Sequence, residues 1–362
     1  MMDPDRREEP TPKTAEPSDN RGEGPASHGV APENHGDATE NHGVAPENFG
    51  DASGRNGDIK RRDISALCCS AGHFTGRRPR VAIIGAPDRD RVREELRRLR
   101  PAIESRATIV VEDLEFAHDF GGTEPSGPGE TDMVIVLGGD GSILQSVRQM
   151  GRRQRPVLGV NCGHLGFLAA LTPDRFLTHW PTIAAGNFRV VPHLMLDVEL
   201  IRDGRTVGRS LALNEAAILG GPPYQILDID LYADDELATR YRCDGLIIAT
   251  PVGSTAHNLS AGGPILRRSL QAVVISPISP HTLTYRPVVD TADTRLELVA
   301  ARPNDSTSIV VDGRVLDRLY PGDRVRIRRA DVAFQLIAVP GHSDYRALRE
   351  KLNWGGTVPR FN

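Results

Sequence analysis

The chain carries two different patterns of apolar and polar positions, and the change between them falls near residue 188. Before this point, short apolar runs alternate with segments in which apolar residues recur at helical spacing. A short continuous apolar run is typical of a buried strand, and the longer spacing is typical of an amphipathic helix. The predicted strands are residues 81–84, 108–111, 133–137 and 157–160, and the predicted helices are residues 88–99 and 142–150.

After residue 188 the helical spacing fades and short β-rich runs follow one another. Turn sequences such as Asp203-Gly204 and Asp312-Gly313 separate these runs, which is typical of an antiparallel sheet. The last predicted element is a short helix at residues 345–352. The predicted strands are residues 195–201, 211–219, 226–232, 246–250, 272–275, 296–299, 308–311, 324–328 and 334–339.

Together these elements predict an α/β N-terminal domain with a doubly wound sheet, followed by a mostly antiparallel, sandwich-like β domain. Residues 1–76 are rich in Pro, Gly, Glu and Asn, and this composition predicts a disordered tail. We expect the α/β domain to cover residues 77–187 and the β-rich domain to cover residues 188–340. Residues 341–362 are predicted to form a C-terminal helix and tail that pack back on the α/β domain.

The overall composition is that of an ordinary soluble protein, with 39% hydrophobic and 25% charged residues among 362. The net charge of -4 is too small to indicate binding to nucleic acid or to an anionic membrane. No apolar run approaches the roughly 20 residues of a membrane span, and no signal peptide is recognisable, so a cytoplasmic location is expected. The four cysteines show no CxxC spacing, which argues against a disulfide framework or a zinc site.

The sequence Gly138-Gly139-Asp140-Gly141-Ser142 joins a predicted strand to a predicted helix. Open α/β sheets bind ligands at this position, where glycines allow phosphates to approach the backbone and the helix N-terminus attracts anions. The loop lacks the Gly-Lys-Ser/Thr ending of a P-loop, and its distinctive residue is a carboxylate. Asp140 could take a proton from an attacking hydroxyl or hold Mg²⁺ beside the phosphates. The alternative is that Asp140 only caps the helix.

Two further segments carry candidate binding groups. Residues 244–264 form a strand that leads into a long run of small, hydroxyl-bearing and glycine residues. Small side chains leave a groove in which backbone N–H groups and hydroxyls can face a ligand, although a tight crossover loop is the alternative. Asn214-Glu215 is a weaker signal that suits recognition of an adenine edge or of ribose hydroxyls.

In this order the motifs resemble the NAD kinase family, and the resemblance runs from about residue 81 to residue 354. Kinases of the diacylglycerol and phosphofructokinase types look similar only around GGDG. The matching segments are GGDGS at 138–142, GVNCGHLGFL at 159–168, NE at 214–215, DGLIIATPVGSTAHNLSAGGP at 244–264, SPISPHTLTYRPVV at 276–289, VDGR at 311–314 and LREKLNW at 348–354.

The resemblance implies a transferase that phosphorylates the adenosine ribose 2′-hydroxyl of NAD to NADP, with ATP or polyphosphate as donor and Mg²⁺ bound to that donor. It implies that Asp140 is the general base and that Gly138 and Gly139 face the donor phosphates, with no protein metal ligands. It further implies a homo-oligomer, a dimer or tetramer, whose sites are completed across the interface. The implied NAD-binding residues are Asp140, Gly141, Asn214, Glu215, Gln225, Arg242, Asp244, Val252, Thr255, Ala256, His257, Asn258, Leu259 and Ser260.

Several positions depart from the usual family pattern. Val252 stands where Thr is typical and His257 where Tyr is typical, so contacts to the nucleotide and their pH dependence could differ. A basic residue is common at Gln145 and at Gln225, and Gln is common at Arg314. Two alternatives stay open at this stage: a kinase for lipids or other small alcohols, and a nucleotide-binding sensor without turnover.

Overall fold

A computed structural model describes residue 74 and residues 76–85, 90–117, 131–163, 166–169, 171–339 and 344–352. Most of the predicted tail, in which HGVAPEN occurs at residues 28–34 and again at 42–48, lies outside the described residues, as do residues 353–362. No helix in the described part of the chain is long and apolar enough to cross a membrane. The helices are α1 (Asp90–Arg106), α2 (Asp140–Met150), α3 (Pro173–Ala184), α4 (His257–Ser260) and α5 (Asp344–Leu352), and a 3-10 turn covers Gly253–Thr255.

The first of three sheets is the one predicted for the α/β domain, with two additional strands. Its order is β2-β1-β3-β4-β18-β5, with parallel pairing from β2 to β18 and an antiparallel edge strand. Both added strands, β5 and β18, come from the range predicted for the β-rich domain. The strands are β1 (Arg80–Gly85), β2 (Thr108–Asp113), β3 (Met133–Leu137), β4 (Val157–Val160), β5 (Arg189–His193) and β18 (Phe334–Ala338).

Both faces of this sheet are buried. Val81, Ile83 and alternate residues of β3 pack against α1 and α3, whereas Ala82, Ile84 and the other residues of β3 pack against α2 and the β-rich region. Successive side chains of a strand point to opposite faces, so strands covered on both sides are continuously apolar. This explains why the runs at 81–84 and 133–137 could be recognised in the sequence, and the doubly wound α/β prediction is confirmed.

The other two sheets are antiparallel and share one core, as a sandwich does. The second sheet has the order β10-β9-β14-β17-β6-β7, and the third has the order β13-β12-β11-β8-β15-β16. Their strands are β6 (Leu196–Arg202), β7 (Arg205–Ala212), β8 (Glu215–Leu219), β9 (Leu227–Ala233), β10 (Glu236–Cys243), β11 (Gly245–Ala249), β12 (Ala272–Ile278), β13 (Val288–Thr291), β14 (Leu296–Ala300), β15 (Ser308–Val311), β16 (Arg314–Arg318) and β17 (Arg324–Arg329).

One predicted strand, residues 211–219, is wrong, because the structure divides it between β7 and β8, which lie in different sheets. The division occurs where the carboxylate of Asp312 accepts hydrogen bonds from the backbone N–H groups of Leu213 (2.8 Å), Asn214 (2.7 Å) and Glu215 (3.1 Å). Burial raises the pKa of Asp312, and these three donors partly offset the rise. A buried carboxylate from the turn after β15 therefore fixes the corner between the two sheets.

The Asp312→Asn substitution tests this corner. An amide keeps the shape of the side chain but places an NH₂ group against one backbone donor, which leaves buried polar groups unpaired. We expect the free energy of unfolding to fall by about 1–3 kcal/mol, measured by chemical denaturation. The exposed Asp305→Asn variant is the matched control and should unfold like the wild type. Equal stability of both variants would contradict the role assigned to Asp312.

Candidate active site

The GGDGS motif lies where predicted, at the carboxyl end of β3 and the first turn of α2. The N–H of Gly138 donates to the carbonyl of Val160 on the neighbouring strand, at 2.9 Å. Gly138 has a φ of 143°, and a Cβ there would lie 2.2 Å from Oγ of Ser142. A side chain at this position is therefore excluded both by conformation and by space. The turn presents backbone atoms of Gly138 and Gly139 to a pocket beside it.

Asp140 does not cap the helix, because Gly139 is the N-cap and no side chain caps that end. Instead its carboxylate accepts three backbone hydrogen bonds from the loop after β4. Oδ2 accepts from Phe167 (2.7 Å), and Oδ1 accepts from Leu168 (2.9 Å) and Ala169 (3.1 Å). A carboxylate oxygen can accept two hydrogen bonds, so Oδ2 retains room for a hydroxyl donor. The side chain is 29% exposed, which leaves it accessible to a substrate.

A pocket of ≈ 530 Å³ adjoins this loop. Arg148 of α2 and Arg314 of β16 bring two guanidinium groups to the wall that also holds Gly138 and Gly139. Nη1 of Arg148 is buried without a hydrogen-bond partner among the described residues. Burial, followed by the charge of Arg314, lowers the pKa of Arg148, and Asp312 partly opposes this effect. An anion bound between the two arginines would relieve both the repulsion and the missing hydrogen bond.

Asn214 and Glu215 lie at the start of β8, with the carboxylate of Glu215 buried. Burial, then the nearby charge of Asp312, raise the pKa of Glu215 to about 8, and a backbone hydrogen bond from His257 partly offsets them. Oε2 of Glu215 has no hydrogen-bond partner in the described structure. A buried acceptor without a partner is costly, so a ligand hydroxyl at this point would be stabilised.

The long motif at 244–264 packs directly against the Asn214-Glu215 corner. The carbonyl of Asn214 accepts from the N–H of Thr250 at 2.8 Å, and Oγ1 of Thr250 donates to the carbonyl of Leu213 at 2.6 Å. A Cβ on Gly253 would lie 2.0 Å from the carbonyl oxygen of Asn214. Only glycine permits this contact, so Thr255 and Ala256 are held close to Glu215.

Two of the predicted NAD-binding residues, Asn258 and Val252, are buried and make contacts within the protein itself. Nδ2 of Asn258 donates to the carbonyls of Ser254 and Pro264, each at 3.0 Å, and Oδ1 accepts from Ser276 at 2.7 Å. Its side chain is fully buried, so in this conformation it supports the loop. Val252 is also buried and packs in the core beneath α2. His257 and Ser260, by contrast, are exposed, and Leu259 is half-buried.

Three further predicted residues lie together at the other end of β11. Gln225 shortly precedes β9, Arg242 lies in β10 opposite Asp228 of β9, and Asp244 directly precedes β11, whereas Thr250 follows β11. Six residues of extended chain span roughly 20 Å, so these side chains lie far from Thr255 within one copy of the chain. All three are exposed, with Arg242 3.2 Å from Asp228 and Asp244 3.7 Å from His281.

Sequence reasoning did not assign roles to Arg148, Asp312 or the N–H groups of residues 167–169. Arg148 reads as an ordinary outward-facing residue of an amphipathic helix, and backbone groups leave no mark in the sequence. Asp312 lies in the recognised VDGR segment, where its Asp-Gly pair also suits an ordinary turn. These contacts join segments about 27–99 positions apart along the chain, a separation at which local pattern carries no information.

The parallel sheet, the glycine loop with its carboxylate and the cationic pocket define a phosphotransferase that binds nucleotides. Residues 92–188 match a family model for the ATP-NAD kinase N-terminal domain, and residues 213–339 match that for the ATP-NAD kinase C-terminal domain. The chain belongs to the NAD kinase family. The predicted reaction class, phosphorylation of NAD with ATP, is confirmed by these comparisons and by those below.

Relatives support the same assignment. The chain is 65% identical over 283 residues to the NAD kinase of Rhodopirellula baltica, covering 78% of this chain and 89% of that protein. It is 41% identical over 255 residues to the NAD kinase of Syntrophotalea carbinolica, covering 70% and 87%. Among solved structures, an Archaeoglobus fulgidus NAD kinase in complex with ATP matches with a TM-score of 0.59 and 26% identity, covering 76% and 98%. Yeast NADH kinase complexed with NADH shares the fold, with a TM-score of 0.68, 22% identity and coverage of 78% and 90%.

The raised pKa of Glu215 predicts a pH dependence of stability. Between about pH 5 and about pH 8 the carboxyl is protonated in the folded protein and ionised in the unfolded chain, so folding takes up a proton. The free energy of unfolding should therefore fall as pH rises through this range, by about 1 kcal/mol per pH unit at its steepest. Glu215→Gln should flatten this fall, whereas the exposed Glu236→Gln should not. Identical pH profiles of melting temperature for all three proteins would contradict the prediction.

Proposed function

We propose that the chain transfers the γ-phosphoryl group of ATP to the adenosine ribose 2′-hydroxyl of NAD, with Asp140 as general base. The observation that carries the proposal is the place of Asp140 in the glycine loop, whose residues Gly139 and Gly141 on either side of it line a pocket with two guanidinium groups on its wall. Oδ2 can accept the proton of the hydroxyl while three N–H donors keep the carboxylate in place. The arginines hold the donor phosphates against the glycine loop, in line with the hydroxyl.

The donor is expected to bring Mg²⁺ with it. Within the described residues no group of three or more His, Cys, Asp or Glu side chains could hold a metal ion. Mg²⁺ commonly binds through substrate phosphates and one or two carboxylates rather than in a protein cage. Glu115, which lines the same pocket, is the carboxylate placed to share it. When bound, the ion neutralises charge on the donor phosphates.

We assign the adenosine half of NAD to the corner between Asn214-Glu215 and residues 253–256. The buried Oε2 of Glu215 is available to a ribose hydroxyl, and the small, half-buried residues Thr255 and Ala256 offer a surface against which a flat base can lie. NADH in the yeast enzyme and ATP in the Archaeoglobus enzyme support the view that this fold accommodates both classes of nucleotide.

We further propose that the working enzyme is a homo-oligomer, a dimer or tetramer. Gln225, Arg242 and Asp244 lie roughly 20 Å of extended chain from the rest of the proposed NAD site. They can contribute to NAD binding if a second copy brings this exposed group to the first copy's site. A cytoplasmic location remains a prediction from the sequence.

Substitution of Asp140 tests the proposed reaction. The wild type, incubated with NAD, ATP and Mg²⁺, should form NADP that a coupled NADP-specific dehydrogenase detects, and polyphosphate serves as a second donor. Asp140→Asn keeps the size of the side chain and two of its loop contacts, so NAD should still bind. Loss of the base should lower kcat by about 10²–10⁴-fold. A kcat within tenfold of the wild type would refute the role of Asp140.

Arg314 tests the donor pocket. It is exposed, so Arg314→Ala should leave the fold intact. Loss of a charge-assisted hydrogen bond to a donor phosphate should raise KM for ATP by about 10-fold while KM for NAD stays unchanged. Arg318→Ala, an exposed arginine on the same strand, is the matched control. A rise in KM for NAD instead would place the acceptor, rather than the donor, in this pocket.

A further inference from the structure

The last helix brings a lysine to the proposed catalytic carboxylate. Nζ of Lys351, in the final turn of α5, lies 3.7 Å from Oδ2 of Asp140. The same ammonium lies 4.2 Å from the centre of the Phe167 ring, a cation–π distance. Phe167 in turn donates its N–H to Oδ2 of Asp140. The lysine is therefore held between an aromatic face and the oxygen that has room for the substrate hydroxyl.

The buried residues of α5 hold this lysine in position. Ala347 and Leu348 are buried, whereas Arg346 and Arg349 on the same helix are exposed. Among the basic residues of this helix, Lys351 is set apart by its ion pair with Asp140. In the described part of the chain, no second cation forms an ion pair with Asp140. With side chains that are 27% and 29% exposed, the pair is only partly screened by solvent.

The charges at this point must change during phosphoryl transfer. On the proposed function, the bond from the ribose 2′-oxygen to the γ-phosphorus forms, and the bond from that phosphorus to the bridging oxygen of ADP breaks. The hydroxyl proton moves to Asp140, whose carboxylate becomes neutral. At that moment Lys351 loses its anionic partner, while a negatively charged phosphoryl group arrives on the oxygen that lay beside Oδ2.

We propose that Lys351 is a catalytic residue. Its ammonium pairs with the carboxylate of Asp140 before the transfer and with the transferred phosphoryl group once that carboxylate is protonated. It then holds the 2′-phosphate of the product. The lysine keeps its proton throughout, so the step needs no further acid, base or co-reactant. A fixed positive charge at the place where negative charge develops lowers the barrier to reaction. This inference depends on the proposed function, because it places the acceptor hydroxyl at Oδ2.

Three variants separate this role from a purely structural one. Lys351→Met keeps the aliphatic stem against Phe167 and removes the charge, Lys351→Arg keeps the charge, and Arg349→Ala removes an exposed charge from the same helix. We expect Lys351→Met to lower kcat by about 10²-fold with little change in KM for NAD. Lys351→Arg should recover part of this loss, and Arg349→Ala should match the wild type.

Binding measured by calorimetry provides a readout that does not depend on turnover. Because NADP carries the 2′-phosphate and NAD does not, Lys351→Met should weaken NADP binding by about 10-fold and NAD binding by less than about twofold. Equal effects on both nucleotides, or an unchanged kcat, would overturn the role of Lys351. A wild type that forms no NADP would instead refute the proposed function, so the two failures are distinguishable.

Discussion

The geometry of the site depends on the carboxylate of Asp140 and its three backbone hydrogen bonds. The loop at residues 166–169 is rich in small and apolar residues, and its carbonyls accept from the side chains of Arg268 (2.9 Å, at Phe167) and Asn161 (3.5 Å, at Ala169). The carboxylate of Asp140 holds this loop, because Oδ1 and Oδ2 accept its N–H groups. Glycine at position 166 is required for this approach, since a Cβ there would lie 2.1 Å from Oδ1 of Asp140. The residue proposed to accept the substrate proton therefore also fixes the wall around itself.

Asp312 repeats this arrangement at the second corner of the site. Each of the two aspartates precedes a glycine, and each accepts three consecutive backbone N–H groups from a segment distant in sequence. Segments fixed in this way take their position from the elements that carry the carboxylates, helix α2 for Asp140 and the turn after β15 for Asp312. The loop at residues 166–169 and the Asn214-Glu215 corner can thus be rigid without regular secondary structure. Electrostatic catalysis requires such preorganisation, because donors that had to reorient would lose their advantage.

Much of the fold follows from local pattern, and the parts that do not have identifiable reasons. Strands β1, β3 and β4 were predictable because burial on both faces makes them continuously apolar. Strands β10, β13 and β16 were missed because they are largely exposed and read as polar loops. Helix α3 was missed although Thr172 and Pro173 signal its start and Phe176, Trp180 and Ile183 share a face.

The candidate site also has parts that local sequence could reveal and parts that it could not. The glycine loop, Asn214-Glu215 and the long motif were recognisable because backbone approach demands specific residues at fixed spacing. The partner of Asp140 on α5 was not, since Lys351 reads as one charge among several on an amphipathic helix. The return of β18 to the first sheet was also hidden, because its apolar run fits either sheet equally well.

The departures from the usual family pattern are explained in part by the pocket. Gln145 on α2 stands where a basic residue is common, and Arg314 on β16 stands where Gln is common, yet both line the same pocket. Positive charge on this wall is supplied by Arg148 on the helix and by Arg314 on the facing strand. Oε1 of Gln145 is buried without a hydrogen-bond partner in the described structure, so it can accept from the neighbouring guanidinium groups when they shift toward a phosphate. A phosphate bound at this wall would be in reach of both guanidinium groups and of the backbone of the glycine loop, so positive charge from two elements converges on one anion.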